Sequence, residues 1–576
     1  MATFRSVFPL PHIPDDLTIP QFILDSQHPS RPLRPYTTPW LIEDHTGRPF
    51  GHSELSHRTF GLANALSLKW GIKRHDIVCI FSPNNIDYAT TIWAVHRLGG
   101  IITPANPGYM VEELVHQLHA TKAALLVIHP TFLDTAHKAA QIAGLPNDRI
   151  ILIEDPPYSE TTSKHTSINN LVDFGSNAPQ NFIEARLKPG EARTTLAFLS
   201  FSSGTTGKPK AVAIPHYSVI ANIIQMATHY KINDKSWKEK RMIPGDVAIA
   251  VLPFFHIYGL VVNLHYLLFC GMSVVVVPKF NFPVFLESLV RHRITHLYIV
   301  PPQVVLMCKH PDMKKYNLSH IKFCMSGAAP LSGELMEQLH KVLPNATIGQ
   351  GYGLTETCTT VAMIPPTQKI ATIGSAGQLI PGIIAKVVKV DGSLAVEGEQ
   401  GELVVTGPSM ALGYLNNETA TRETFVDGWV RTGDEVIIKN GEVYVVDRLK
   451  EIMKVRGFQV APAELEGHLL MHPDVVDACV ISIPDEYSGE LPMAYIVLSE
   501  AARKRISGNQ DASLKLKAVL EKHVADVKVA YKRLAGGVEF IDAIPKNPSG
   551  KMLRRVLRDQ ARKLKVTRTE SIRARL

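Results

Sequence analysis

Short apolar runs alternate with amphipathic segments through the first two hundred residues of the chain. In this part, strands are predicted at Asp76–Phe81, Ala123–His129 and Arg149–Glu154, and helices at Asp87–Leu98 and Phe132–Ala143. The alternation resumes after residue 247, with strands predicted at Val247–Leu252, Met272–Val277, His296–Val300 and Ile321–Ser326. Strands that alternate with helices in this way are typical of a mostly parallel sheet with helices on both faces.

The pattern changes near Gly374, where the segments become short, β-rich and separated by glycine turns. Such segments indicate a β-barrel-like subdomain. The charge composition shifts at Asp447–Lys450, and beyond it the pattern predicts a small α+β domain. We therefore divide the chain into an N-terminal domain, residues 1–448, and a C-terminal domain, residues 449–576.

The composition is that of an ordinary globular protein, with 45% hydrophobic and 20% charged residues. A chain of 576 residues is too long for one core, so two or more domains are expected. The six cysteines form no zinc or disulfide pattern, which favours a reducing compartment. Val247–Pro278 carries no Asp, Glu, Lys or Arg, but prolines, histidines and glycines interrupt it. It predicts a buried strand–helix–strand segment and no membrane span.

Positive charge is concentrated in the C-terminal domain. Residues 449–576 hold 23 Lys and Arg against 16 Asp and Glu, which accounts for most of the net charge of +8. A basic region of this kind is a solvated face, a nucleic-acid surface or a lid that closes over polyphosphate ligands. No aromatic-studded basic stripe or nucleic-acid motif accompanies it, so we expect no nucleic-acid partner.

A loop rich in glycine and hydroxyl groups follows the apolar run that ends at Phe201. Its candidate phosphate ligands are Ser202, Ser203, Gly204, Thr205, Thr206, Gly207 and Lys208. Backbone N–H groups in such a loop form an anion-binding concavity, and lysine adds positive charge. The spacing excludes a Walker A motif, which has four residues between its first glycine and the Gly-Lys pair. The alternative is an ordinary polar turn.

Three further motifs carry groups suited to nucleotide chemistry. Gln350-Gly-Tyr-Gly-Leu-Thr-Glu356 places an aromatic ring between glycines, followed by oxygen donors for a phosphate and a divalent metal. Trp429-Val-Arg-Thr-Gly-Asp434 ends in a carboxylate that can accept both ribose hydroxyls. Pro545-Lys-Asn-Pro-Ser-Gly-Lys551 places a point charge on a turn, where it can neutralise a developing phosphorane. Taken singly, each motif is equally a capped or solvated turn.

Together these motifs resemble those of the acyl- and aryl-CoA synthetases, the adenylate-forming superfamily that includes 4-coumarate–CoA ligases and firefly luciferase. The resemblance runs from residue 40 to Arg555 and is strongest with fungal phenylacetyl-CoA and 4-coumarate-type ligases. It implies an α/β fold with a large N-terminal domain of two doubly wound, mostly parallel sheets plus a β-barrel-like subdomain. A small mobile α+β C-terminal domain would carry the catalytic lysine and the coenzyme A loop.

The resemblance also implies a role for each candidate residue. ATP would be bound by the glycine-rich loop with Gln350, Gly351, Tyr352, Gly353, Asp434 and Arg448. The catalytic residues would be Lys551, Thr355, Glu356 and Lys454, with Glu356 also holding Mg²⁺. Coenzyme A would pass Lys454, Gly457 and Phe458, and Lys450 would be the interdomain hinge. The acid would lie against His256, Tyr258, Val262, Lys309 and Ala328.

The implied reaction is an AMP-forming acid–thiol ligation that uses ATP, Mg²⁺ and coenzyme A. Val261 and Val262 are apolar where hydroxycinnamate enzymes often have a polar residue, so we expect an apolar pocket for an aromatic or medium-chain acid. A histidine such as His256 is alternatively a satisfied core residue. Two other functions stay open: a stand-alone adenylation enzyme that loads a separate carrier protein, and a non-catalytic nucleotide- or lipid-binding protein.

The sequence ends in Ala574-Arg575-Leu576, which resembles the Ser-Lys-Leu peroxisomal signal in its small, basic and leucine positions. The alternative is a basic tail that has this ending by chance. We expect a peroxisomal enzyme whose tripeptide binds an import receptor, and otherwise a cytoplasmic one.

Overall fold

Three β-sheets organise the chain in the computed structural model. The structure describes residues 3–154, 165–202, 209–456, 458–485, 488–547 and 550–573. Two of the sheets belong to the N-terminal part and the third to the C-terminal part, as the predicted fold class requires.

The first sheet has seven strands and is parallel except at one edge. In hydrogen-bonded order the strands are Gly413–Tyr414, Lys210–Pro215, Leu196–Ser202, Ile101–Ala105, Ile77–Phe81, Leu125–Ile128 and Ile150–Leu152. Strands 101–105 and 125–128 are buried along their whole length, which explains the unbroken apolar sequence of 125–128. The one polar side chain of 101–105, Thr103, donates its hydroxyl hydrogen to Leu199 O. The antiparallel pair 196–202 and 210–215 flanks the glycine-rich loop. Residues 203–208 of that loop lie outside the described part of the chain.

The second sheet joins a parallel half to an antiparallel half. Its order is Phe4–Arg5, Ile384–Val388, Gln400–Thr406, Trp429–Lys439, Glu442–Arg448, Gln378–Leu379, Thr359–Met363, Thr347–Leu354, Phe323–Ser326, His296–Ile299, Val247–Ala250, Ser273–Val276, Leu41–Glu43 and Pro49–Phe50, with Phe425–Val426 paired to 429–439. Strand 347–354 is the junction, because it is parallel to 323–326 and antiparallel to 359–363. The β-rich segments after Gly374 are thus hydrogen-bonded to the end of the parallel half.

The third sheet is small and mostly antiparallel. Its strands are Phe458–Val460, Met453–Val455, Gly489–Leu498 and Val475–Asp485, with Val538–Phe540 parallel to 489–498. The second sheet's last strand along the chain ends at Arg448, so residues 449–452 connect the two sheets.

Helices cover the sheets. Those of eight residues or more are His52–Trp70, Ile86–Arg97, Val111–Thr121, Leu133–Ala143, Ile168–Asn177, His216–His229, Tyr258–Tyr266, Phe282–Arg291, Pro301–Lys309, Gly333–Val342, Pro462–Leu469, Gln510–Ala525 and Arg554–Arg573. The shorter ones are Gln21–Asp25, Pro130–Phe132, Asn147–Arg149, Glu191–Arg193, Leu267–Phe269, Pro311–Lys315, Thr355–Thr357, Glu418–Thr424, Glu500–Ile506 and Ala530–Lys532.

The uncharged segment 247–278 forms a strand, two consecutive helical segments and a second strand, as predicted. Its helical residues 258–269 are buried among the sheets, which explains why the segment has no charge. Across the described residues, no helix combines the length and the apolar character that a membrane crossing requires. All six cysteines are free thiols.

Candidate active site

A cavity of about 890 Å³ is lined by residues of both large sheets and of the C-terminal part. Two of its lining residues directly follow parallel strands: Asn106 follows strand 101–105, and Gly327 follows strand 323–326. The carboxyl ends of parallel strands are the usual binding edge of such sheets. The predicted residues that line the cavity are Ser202, His256, Tyr258, Ala328, Gly351, Tyr352, Gly353, Thr355, Glu356, Arg448, Lys450 and Lys551.

The packing of the second sheet requires the glycines of the glycine–tyrosine motif. A Cβ at Gly353 would lie 1.3 Å from the backbone oxygen of Thr359, so this position admits only glycine. A Cβ at Gly351 would lie 3.1 Å from the sulfur of Met325. The two close approaches place the Tyr352 side chain on the cavity wall between them.

Asp434 is held behind the cavity wall by two neighbours. Its Oδ2 accepts a hydrogen bond of 2.7 Å from the hydroxyl of Tyr352, and its Oδ1 lies 3.4 Å from Arg448 Nε. The antiparallel register pairs residue 434 directly with 448. Burial raises the pKa of the Asp434 carboxyl, while Arg448 and Tyr352 oppose that shift. The structure therefore brings together the pair predicted to hold ribose.

Glu356 reaches the cavity from a short helical turn, 355–357. Its Oε1 accepts a hydrogen bond of 2.8 Å from the hydroxyl of Tyr414, and its backbone oxygen accepts one of 2.9 Å from Ala411. The ammonium of Lys210 lies 4.9 Å from the centre of the Tyr414 ring. Tyr414 was not predicted, because it lies in a separate segment that carries no motif.

Lys551 extends into the same cavity from a turn in the C-terminal part. Its N–H donates to Asn547 Oδ1 and its oxygen accepts from the Asn547 N–H, both at 2.8 Å. Burial, and after it the nearby Arg448 charge, lowers the pKa of Lys551 to about 8. The carboxylates of Asp434 and Glu356 oppose this shift, and Glu356 and Lys551 line the same cavity.

The wall predicted for the acid is apolar and uncharged. Burial lowers the pKa of His256 to about 4, so its ring is neutral at physiological pH. Its Nδ1 accepts the N–H of Tyr258 at 3.3 Å, and the Tyr258 hydroxyl donates to Met325 O at 3.4 Å. A Cβ at Gly327 would lie 2.9 Å from the Tyr258 ring, so glycine there makes room for the tyrosine.

Two residues predicted to contact the acid lie elsewhere. Val262 is fully buried in helix 258–266 and belongs to the protein core. Lys309 donates hydrogen bonds to the backbone oxygens of Leu470 and Val475, 2.7 and 2.6 Å away. Neither residue lines the cavity. Helix orientation places Val262 against neighbouring core side chains, and Lys309 faces the C-terminal part.

Three other predicted residues also lie off the cavity. Gln350 is buried, and its amide accepts from the N–H of Leu331 and donates to the oxygen of Ser375. The predicted coenzyme A loop lies outside the lining, with Lys454 exposed and the Phe458 ring stacked on Tyr531 at 4.5 Å. In this arrangement these three positions do not contact a ligand in the cavity. Predicted residues Ser203 to Lys208 and Gly457 lie outside the described residues.

The layered sheets and the charged cavity define an enzyme of the nucleotide-binding class. A family model described as AMP-binding enzyme matches residues 31–415. A second, described as AMP-binding enzyme C-terminal domain, matches residues 464–551. The chain belongs to the family of AMP-binding enzymes, which confirms the resemblance inferred from the motifs.

Relatives and solved structures match the chain along nearly all of its length. It is 34% identical to 4-coumarate–CoA ligase 5 of Oryza sativa over 565 residues, 96% of each chain. It is 35% identical to 4-coumarate–CoA ligase 1 of Petroselinum crispum over 524 residues, 90% of each. The crystal structure of an anthranilate CoA ligase with anthranoyl-AMP matches with a TM-score of 0.80 at 24% identity, covering 96% of this chain and 99% of the other. That last likeness shows the fold alone, and it confirms the predicted fold class.

The lowered pKa of Lys551 predicts a pH limit on acid activation. The ammonium form exists below its pKa, so kcat/KM for pyrophosphate exchange should fall as pH rises through about 8. Lys551→Arg should keep its charge and lose this descending limb, although its activity is lower because its shape differs. A pH–rate profile of both proteins measures the effect. The same descending limb in Lys551→Arg would assign it to another group.

Proposed function

We propose that the protein is an ATP-dependent carboxylate–CoA ligase that activates an aromatic or medium-chain acid as its acyl-adenylate. The observation that carries this proposal is the convergence of Lys551, Glu356 and the Asp434–Arg448 pair on one cavity with an apolar wall. The AMP-forming acid–thiol ligase class is shared by the 4-coumarate–CoA ligases to which the chain is similar.

The first step forms a mixed anhydride. A carboxylate oxygen of the acid attacks the α-phosphorus of ATP, the P–O bond to the β-phosphate breaks, and pyrophosphate leaves with the bonding electrons. Lys551 would stabilise the charge that develops on the phosphoryl oxygens. Arg448 and Asp434 would fix the ribose, so that catalysis rests on position and electrostatics.

The second step transfers the acyl group to sulfur. The coenzyme A thiol loses its proton and attacks the acyl carbonyl carbon, and the bond to AMP breaks with release of AMP. The protein needs no covalent nucleophile of its own in either step. Thr355, which lines the cavity beside Glu356, would add a hydroxyl donor to the phosphate.

The acid specificity follows from the wall around Tyr258. Phe255, Ile257, Met325 and Ala328 line the cavity beside it, and His256 is neutral. Apolar walls with few polar groups bind the hydrocarbon part of a ligand by removing it from water. The similarity to 4-coumarate–CoA ligases supports an aromatic acid of similar size.

A panel of acids tests the proposed reaction. Phenylacetate, cinnamates, medium-chain and long-chain acids are each incubated with ATP and coenzyme A, and AMP and acyl-CoA are measured. We expect equal amounts of the two products with an aromatic or medium-chain acid. Acyl transfer only to a pantetheinylated carrier protein would establish the carrier-loading alternative. No acid-dependent release of pyrophosphate with any acid would refute the ligase.

The magnesium site would rest on Glu356 and the phosphates of ATP. Among the described residues, Glu356 Oε2 has no hydrogen-bond partner, while Oε1 accepts from Tyr414. No group of three or more His, Cys, Asp or Glu in that part of the chain could hold a metal. One carboxylate plus substrate phosphates is a usual arrangement for Mg²⁺, so the residues fit the ion. When bound, the ion would neutralise phosphate charge.

Glu356→Gln should weaken divalent-metal binding at least about tenfold, because it removes the charge but keeps the size of the side chain. The Mn²⁺ affinity in the presence of ATP can be measured by electron paramagnetic resonance, with no need for turnover. Glu337→Gln, at an exposed position of helix 333–342, is the control and should bind as wild type. Unchanged Mn²⁺ affinity in Glu356→Gln would contradict the assignment.

For localisation we propose import into peroxisomes through Ala574-Arg575-Leu576. The support is the small–basic–leucine pattern of this tripeptide and the metabolic type of reaction. A fluorescent tag at the N-terminus should appear in peroxisomes, and removal of the three residues should leave it diffuse. A diffuse signal from the full-length tagged protein would contradict the proposal.

A further inference from the structure

Helix Pro301–Lys309 of the second sheet's layer contacts the C-terminal part at both of its ends. At its N-terminal end, a Cβ on Gly550 would lie 3.1 Å from Val300 Cγ2 and 3.8 Å from Pro302 Cδ. Gly550 immediately precedes Lys551. At its C-terminal end, Lys309 contacts Leu470 and Val475. The helix therefore spans from the turn that carries Lys551 to an anchor about 13 Å away.

The Lys309 anchor is formed by a charge and two backbone dipoles. Its ammonium donates to Leu470 O at 2.7 Å and to Val475 O at 2.6 Å. Leu470 ends helix 462–469, where unpaired carbonyls and the helix dipole favour a cation. Among the described residues the Lys309 ammonium forms no salt bridge; the Asp477 carboxylate, whose charge opposes the lowering of the Lys309 pKa, is paired with Lys546 instead. The anchor thus depends on the position of helix 462–469 and not on a flexible acidic side chain.

Other contacts at this interface are close but uncharged. A Cβ on Gly467 would lie 2.9 Å from Ser332 Cβ, so helix 462–469 approaches the N-terminal part at a glycine. Gln338 Nε2 lies 3.9 Å from the sulfur of Met471. Lys309 supplies the charged contact of this patch. Burial lowers the pKa of Lys309, because removing the ammonium from water disfavours its charged form.

We propose that Lys309 is a positioning residue for acid activation. By holding Leu470 and Val475, it fixes the C-terminal part in the arrangement that places Lys551 in the cavity. It contacts neither ATP nor the acid, and it acts on the first half-reaction through the location of Lys551. The proposal rests on the proposed ligase function.

The arrangement also explains why Lys309 should affect only one of the two steps. The loop around Lys454 and Phe458 lies off the cavity here, so a role for it in thioester formation requires a different position of the C-terminal part. A movement of that kind would separate Lys309 from Leu470 and Val475 and so break its two hydrogen bonds. The residue therefore stabilises the adenylation arrangement and contributes nothing after the movement.

Separate assays of the two half-reactions test this. Lys309→Met keeps the stem but removes the charge, and it should lower acyl-adenylate formation by about tenfold or more, as for loss of a charged hydrogen bond. Conversion of supplied acyl-adenylate to acyl-CoA should stay within about twofold of wild type. Lys309→Arg, which retains donors and charge, should recover part of the loss. Lys314→Met, an exposed lysine in the next helical turn, is the control and should resemble wild type.

A distance measurement separates failure of this inference from failure of the ligase function. Spin labels are introduced as non-natural amino acids at the exposed positions Lys341 and Lys515, one in each part of the chain. With ATP bound, wild type should give one narrow distance distribution and Lys309→Met a broad one. Unchanged distributions, or equal losses in both half-reactions at unchanged thermal stability, would overturn the role of Lys309. If wild type gave a narrow distance distribution but formed no adenylate, the ligase function alone would be overturned.

Discussion

The buried carboxylate of Asp434 is the charge on which the rest of the cavity depends. It is 4% exposed and lies between the hydroxyl of Tyr352 and the guanidinium of Arg448. Without it, Arg448 and Lys551 would be two neighbouring cations in a region with little water, where like charges repel strongly. Because a single hairpin register sets residue 434 against 448, one strand pairing places both charged groups beside Lys551. Burial is the first cause of the lowered Lys551 pKa, and the Arg448 charge is the second.

The layered fold and most of the residues that meet at the cavity could be predicted, because both depend on local sequence. Parallel strands buried on two faces are nearly continuously apolar, and Leu125–Ile128 shows this directly. Turn motifs such as the one before Lys551 need particular residues at adjacent positions, and those residues are visible in one sequence. The pairing of Asp434 with Arg448 also depends on local sequence, since only a short glycine turn separates their two strands.

The remaining features depend on which elements meet in three dimensions. Tyr414 contacts Glu356 although 58 residues separate them, and neither segment indicates the other. Val262 and Lys309 were assigned to the acid pocket by the family resemblance. Val262 is instead buried in the core, and the Lys309 ammonium donates to backbone oxygens of the C-terminal part. The steric requirement for Gly353 also depends on a neighbouring strand, because the Thr359 oxygen that excludes a side chain there belongs to 359–363.

The neutral histidine on the acid wall has a consequence for the orientation of the substrate. The wall formed by His256, Tyr258 and Met325 carries no charge, since burial and the Lys551 charge lower the pKa of His256 to about 4. The positive charge of the described lining belongs to other residues, namely Lys210, Arg431, Arg448, Lys450, Lys546 and Lys551. A molecule with one carboxylate fits the cavity in a single orientation, with its carboxylate near the cations and its hydrocarbon end against the uncharged wall. A second carboxylate at the far end would lose its hydration without a partner, at a cost of several kcal/mol. In the proposed ligase, dicarboxylic acids would thus be selected against by dehydration, with no residue dedicated to detecting them.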